Sequence, residues 1–286
     1  MVTLMACSFA MTGCYALGAM SRFLPLSMVP VLTVIATLIV MVCRFYAVSP
    51  PGAVFFLMAA AIGAFTPITL EQLPLHVGLV AMGCLLACLI AFGYSLYVLG
   101  RGIRHALPVA PLPAPDFDHV VVGSLVIGLT VGLSLLVATL LHLDRPYWVP
   151  VSCLTVIQGA SLRAVWTRQL HRVVGTFAGI ALAWAMLQLP LDPWRIGGLV
   201  LVLTFVIETL VVRHYGLAVV FITPMTLLLA DAATLSQDTV DATLRARVFD
   251  TLLGSFAGWL GGLCLHNPRL VEQVGRRLRR RRPPAG

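Results

Sequence analysis

Ten long apolar runs follow one another along this chain, at about 3–20, 28–48, 51–66, 75–99, 119–143, 147–161, 168–190, 195–213, 214–231 and 246–265. About 20 consecutive apolar residues are enough for a helix to cross the hydrocarbon core of a bilayer. A backbone inside that core must satisfy its own hydrogen bonds, which leaves only helices and closed barrels. Barrel strands would alternate apolar and polar residues over about ten positions, and these runs do not. The sequence therefore predicts an all-α fold, a polytopic helical membrane protein of about ten transmembrane helices. Composition agrees: 10% of the 286 residues are charged, against about 25% in soluble domains.

The third, sixth and ninth runs are short, and Pro150 and Pro224 interrupt the sixth and ninth. Short or broken spans mark discontinuous helices beside transporter binding sites. They also leave backbone carbonyls free where they face a cavity.

Arginine supplies all 19 basic residues, and its distribution orients the chain. With the tail Arg269–Arg282 in the cytoplasm, fourteen arginines fall inside and only Arg22, Arg145, Arg195, Arg245 and Arg247 fall outside. This is the positive-inside pattern, with both termini cytoplasmic. Residues 101–118 hold four prolines, so an extended linker is expected there. The chain then divides into a four-helix half at 1–100, a Pro-rich cytoplasmic linker at 101–118, a six-helix domain at 119–265 and a basic tail at 266–286. The Arg-rich tail follows a span directly, so anionic lipid is its expected partner rather than nucleic acid.

The six-helix part repeats itself. RQLHRVVGTFAG (168–179) aligns with RVFDTLLGSFAG (247–258), and the two spans are three apart. Helices three apart cross in opposite directions, which is the pattern of an inverted repeat. Tyr147 to Thr155 has the same spacing as Tyr215 to Thr223. The first four spans echo the last four in parallel, with VCRFYA (42–47) over VVRHYG (211–216), so the first half lacks counterparts of spans five and six.

The ordered set RPYWVPVSCLTVIQ, RQLHRVVGTFAG, RHYGLAVVFITPMTLLLAD and RVFDTLLGSFAG resembles the second membrane half of the fusaric acid resistance (FUSC) family. That family is similar to aromatic acid exporters and to plant aluminium-activated malate transporters. The resemblance covers 119–265 well and 1–100 loosely. It implies a bacterial inner-membrane efflux protein for aromatic or other organic acids, driven by the proton gradient. A periplasmic adaptor is the partner it implies for some members.

The residues themselves suggest where such chemistry would sit. A carboxylate leaving water needs compensation, and a guanidinium is a permanently charged, forked partner for it. Arg168 and Arg172 are one turn apart at the start of a span, so both can face one side. They are read as an anion trap, with lipid-phosphate anchoring as the alternative. Tyr147 and Trp148 could stack an aromatic substrate or belong to the interfacial aromatic belt. Gln158, Thr155 and Thr223 could line the same cavity. Asp250 and Glu208 are acids inside spans, and such groups are candidates for proton coupling. For Asp250 the alternative is an ion pair with Arg247 three residues earlier. Gly175/Gly179, Gly254/Gly258 and Gly128/Gly132 are small-xxx-small pairs that permit close helix approach.

The seven cysteines lie mostly in apolar runs and read as packing residues. With no lysine there is no phosphate-binding Gly-rich loop ending in Lys-Ser/Thr, and neither a nucleophile elbow nor HExxH occurs. No enzyme activity and no cofactor are expected. Three functions stay open: a proton-coupled exporter of organic anions, an uncoupled anion channel, and a noncatalytic or truncated membrane partner.

Overall fold

A computed structural model describes residues 2–24, 26–48, 52–101, 118–188, 192–211, 213–231 and 237–280. The Pro-rich linker lies almost wholly outside them. So do the side chains of Asp231, Asp238 and Asp241. Among the described residues there is no strand. The helices are α1 (Val2–Ser21), α2 (Met28–Phe45), α3 (Gly52–Phe65), α4 (Leu73–Gly100), α5 (Gly123–Leu140), α6 (Trp148–Ile157), α7 (Leu162–Leu187), α8 (Pro193–Val211), α9 (Tyr215–Asp231), α10 (Gln237–Leu265) and α11 (Pro268–Arg280). A π-helical turn, Asp118–Val122, leads into α5.

Seven of these are long and apolar enough to cross a membrane, and α3, α6 and α9 are the shorter apolar helices. The protein is a multi-pass membrane protein, and its short helices are the third, sixth and ninth, as the sequence suggested. Two boundaries move. α7 begins at Leu162 because Ser161 is extended and its hydroxyl accepts the Ala164 N–H, which caps the helix there. α10 begins at Gln237, well before the apolar run does. The tail also gains a helix: Asn267 Oδ1 accepts the Arg269 N–H, and Pro268 starts α11.

The chain forms two compact units, 1–132 and 133–286. Their boundary falls inside α5 rather than in the Pro-rich linker. In the first unit, Gly128 and Gly132 seat the start of α5 on Thr37 and Thr33 of α2, which ties that turn to the earlier helices. There α1 packs on α3 and α4, and α2 on α3. Gly63 approaches the Tyr15 carbonyl so closely that an added Cβ would lie 2.6 Å from it. On α4, by contrast, no residue is buried, and a Cβ on Gly83 would meet nothing within 4 Å. Gly83→Ala is therefore expected to raise the thermal midpoint in detergent, since alanine is about 1 kcal/mol better than glycine in a helix. Gly63→Ala should lower it. Equal shifts from the two would show that the α1–α3 seam is not tight.

In the second unit α7 packs on α9 and α10, α8 on α9, and α6 on α10. The α7–α9, α7–α10 and α8–α9 pairings reproduce those of α1–α4 in order, as the parallel repeat requires. The inverted repeat shows in the glycines. A Cβ on Gly175 would meet Gly216 O at 3.0 Å and Val219 Cβ at 2.8 Å, and one on Gly254 would meet Val149 O and, at 2.8 Å, Ser152 Cβ. One turn on, Gly179 faces Val220 O at 2.6 Å and Thr223 Cβ at 2.7 Å, while Gly258 faces Cys153 O at 2.5 Å and Val156 Cβ at 3.0 Å. The pairs 149/216, 152/219, 153/220 and 156/223 share one spacing. Tyr215 is thus the counterpart of Trp148, one residue off the Tyr147–Tyr215 match read from the sequence. The sequence matched identical residues, whereas the glycine contacts fix the register.

The two prolines differ. Pro150 is the third residue of α6, where its missing N–H has no acceptor to lose, so it does not break the helix. Pro224 lies inside α9 and frees the Val220 carbonyl. That carbonyl is the one against Gly179, so it faces a helix seam instead of a cavity.

Candidate functional site

α6 is a ten-residue helix, about 15 Å long, and every one of its residues is buried. It is too short to cross a core of about 30 Å. Trp148 and Ser152 lie one turn apart on one of its faces. Each receives an arginine from a neighbouring helix. Arg247 of α10 places its guanidinium carbon 3.7 Å from the centre of the Trp148 ring. Its Nη2 also donates to Thr226 Oγ1 of α9 at 3.3 Å. Arg172 of α7 donates from Nη2 to Ser152 Oγ at 3.2 Å, and Tyr215 of α9 lies beside it. Two cations from opposite repeats thus meet between α6 and α9.

Neither arginine is an interfacial anchor. Arg172 is 3% exposed and Arg247 1%. Each stands ten residues inside its helix, about 15 Å from the end at 1.5 Å per residue. Many polar atoms around them have no hydrogen-bond partner: Arg172 Nε, Arg247 Nε and Nη1, Trp148 Nε1, the Tyr215 hydroxyl, and the Thr176, Thr251 and Ser255 hydroxyls. Thr176 and Ser255 are repeat counterparts, as are Arg172 and Thr251, so the donors gather about the α7–α10 contact.

Magnitudes show what this arrangement wants. Burying an unpaired ion costs several kcal/mol even after relaxation. A desolvated cation–π contact contributes about 2 kcal/mol, and a hydrogen bond to a charged group about 1.5–3 kcal/mol. For Arg247 these nearly balance. For Arg172, which has no ring stacked on it and only the neutral hydroxyls of Ser152 and Tyr215 beside it, they do not. A carboxylate among the free donors would supply the difference and match the guanidinium fork.

Asp250 does not fill that role. Although three residues from Arg247 and fully buried, it forms no ion pair with it, and both its carboxylate oxygens lack partners. The ion pair considered from the sequence is absent because Arg247 turns toward Trp148 and Thr226. Asp250 instead lines a pocket of about 310 Å³ with His142, Leu143, Asp144, Ala242, Arg245, Ala246 and Phe249. The charges of Arg247, Asp144 and Arg145 all act on it. Arg145 Nη2 in turn donates to Thr243 Oγ1 at 3.2 Å, tying the loop before α6 to α10.

The other residues singled out from the sequence scatter. Tyr147 and Trp148 are 8% and 1% exposed, so they are interior rather than belt residues. Their rings are 5.0 Å apart. Thr223 is buried against Gly179 and bonds the Val219 carbonyl of its own helix at 3.1 Å. Thr155 does likewise with Val151 at 2.7 Å. Gln158 caps the far end of α6 from Trp148. Arg168 is half-buried. Glu208 is exposed on α8, whose inward residues are Leu203 and Ile207, and the fold does not bring it to the arginines. Sequence reasoning missed Ser152, Thr226 and Tyr215 as partners, and it placed Arg247 only in an ion pair. The alignment of Arg168 with Arg247 was the available signal.

Residues 133–261 match the model of a family described as "Fusaric acid resistance protein-like". A stretch of 137 residues is 31% identical to the "Uncharacterized membrane protein YvaC" of Bacillus subtilis (strain 168), covering 46% of this chain and 22% of that relative. The match thus spans a little under a quarter of the relative's length. No solved structure matches the chain. Every residue of the buried arginine site, from Trp148 to Ser255, falls inside the matched segment, and over residues 133–261 the chain is similar to the fusaric acid resistance protein-like family.

Proposed function

We propose that this chain is a secondary transporter that exports organic, mainly aromatic, carboxylic acids across the bacterial inner membrane, with both termini cytoplasmic. One observation carries the reading: two guanidiniums, 3% and 1% exposed, meet on one face of α6 with no carboxylate paired to either. A travelling carboxylate completes that set, and the Tyr215 ring beside Arg172 offers a face to an aromatic body. Asp250, between Arg247 and the pocket, is the proton-coupling group, because it is an ionisable group inside a span with neither carboxylate oxygen partnered. The basic α11 lies on anionic lipid, with Leu270, Val271 and Val274 forming its apolar stripe.

The test is benzoate flux in proteoliposomes holding the full chain. The wild type is expected to accumulate benzoate against its gradient when a pH difference is imposed. Asp250→Asn should keep downhill flux and lose the pH-driven accumulation. Accumulation by Asp250→Asn equal to wild type would remove Asp250 from coupling. Downhill flux in the wild type that ignores the pH difference would mean a channel. No benzoate flux at all would end the transport reading for this anion class.

A further inference from the structure

The repeat register set by the glycine contacts has a second use. It places Arg168 over Arg247, His171 over Asp250 and Tyr215 over Trp148. We infer that Arg168, His171 and Tyr215 form a second half-site for a carboxylate, the repeat-related twin of Arg247, Asp250 and Trp148, serving the opposite face of the membrane. The inference rests on the transport reading and deepens it.

The three side chains are already together. The His171 ring centre is 6.3 Å from that of Tyr215, and the imidazole packs on Gly216, 3.2 Å from where a Cβ would stand. The charges of Arg172 and then Arg168 act on Tyr215. The Tyr215 hydroxyl is buried beside the Arg172 guanidinium, which can only donate to it, so its own O–H has no acceptor and is a donor to offer. The twins sit at opposite ends because helices three apart cross in opposite directions.

They differ in two ways that suit successive stages of one passage. The Arg247 set is closed, with the guanidinium on the ring and 1% exposed. Arg168 is half-buried, His171 is exposed, and Arg168 makes no ring stack among the described residues. The charges differ as well. The α7 set has two arginines, Arg168 and Arg172, and an imidazole. The α10 set has an arginine beside a carboxylate. An anion is thus held more strongly at the α7 end and repelled by Asp250 at the α10 end, which favours passage from the first to the second.

Side-resolved flux tests this. Proteoliposomes with the full chain in one orientation, verified by protease access to the tail, are given benzoate on one face at a time. Arg168→Met and His171→Asn are expected to raise the half-saturating benzoate concentration about tenfold on the α7 face and leave the α10 face unchanged. Arg247→Met should do the reverse. Tyr215→Trp, which copies the twin, should retain wild-type half-saturation on the α7 face. Equal shifts on both faces, or a fall in maximal rate alone, would make Arg168 and His171 structural and overturn the inference while leaving transport intact. A wild type with no benzoate flux from either face would overturn both.

Discussion

Replacing Arg172 with methionine is expected to raise the thermal midpoint of the protein and to abolish anion transport together. The guanidinium is 3% exposed, has only the neutral hydroxyls of Ser152 and Tyr215 as polar partners, and has an unpartnered Nε. Its burial is therefore poorly compensated. When buried ionic groups give way to packed apolar ones, stability is often unchanged or gains about 1–4 kcal/mol. Methionine is unbranched and fills irregular interior space well. The same change removes a forked partner for the carboxylate. Loss of a buried charged contact is worth about 2–5 kcal/mol, and each 1.36 kcal/mol is about tenfold in rate, so benzoate flux should fall on the order of a hundredfold or more. Arg172→Lys keeps the charge without the fork and should fall between. A less stable Arg172→Met protein would identify Arg172 as a brace for α6. Unchanged flux would remove it from the pathway.

The second large effect is expected at Gly254. A Cβ there would run into the backbone carbonyl of Val149 and stand 2.8 Å from Ser152 Cβ. A carbonyl in a fully buried helix has nowhere to move. Gly254→Ala should therefore separate α10 from α6 and cost roughly 3 kcal/mol or more, at the upper end of overpacking effects. Gly216→Ala is the milder control, since its added Cβ would meet only the His171 ring, at 3.2 Å. Thermal midpoints of the two variants in the same detergent decide the point. Similar small shifts would mean that the seam between α6 and α10 can open without loss. Because Ser152 holds Arg172 and Trp148 holds Arg247, an opened seam should also reduce benzoate flux.

Much of the fold was legible because bilayer crossing leaves a strong mark. Runs of apolar residues located ten apolar helices, and their lengths identified α3, α6 and α9 as short. The inverted repeat was legible because Gly175/Gly179 and Gly254/Gly258 have one job, the close approach of two backbones. What stayed hidden depended on direction. Sequence spacing put Arg247 and Asp250 three apart and suggested an ion pair, yet the arginine turns to an aromatic face on another helix. Arg168 and Arg172 looked equivalent at one turn's separation, yet one is half-buried and the other is enclosed. Glu208 looked interior because its run is apolar, but it lies on the outer face of α8. The start of α7 was misplaced because Leu162–Thr167 is too polar to read as part of a span, although Ser161 caps a helix there. α11 was missed because it does not cross.

The enclosed ten-residue α6 also dictates an order of assembly. A segment that meets only protein gains nothing from lipid and is too short to lodge across a bilayer by itself. Its seat is complete only when α10 is present, because Gly254 and Gly258 supply its socket. α10 packs on both α6 and α7, so it acts as the keystone that closes the protein around Arg172 and Ser152.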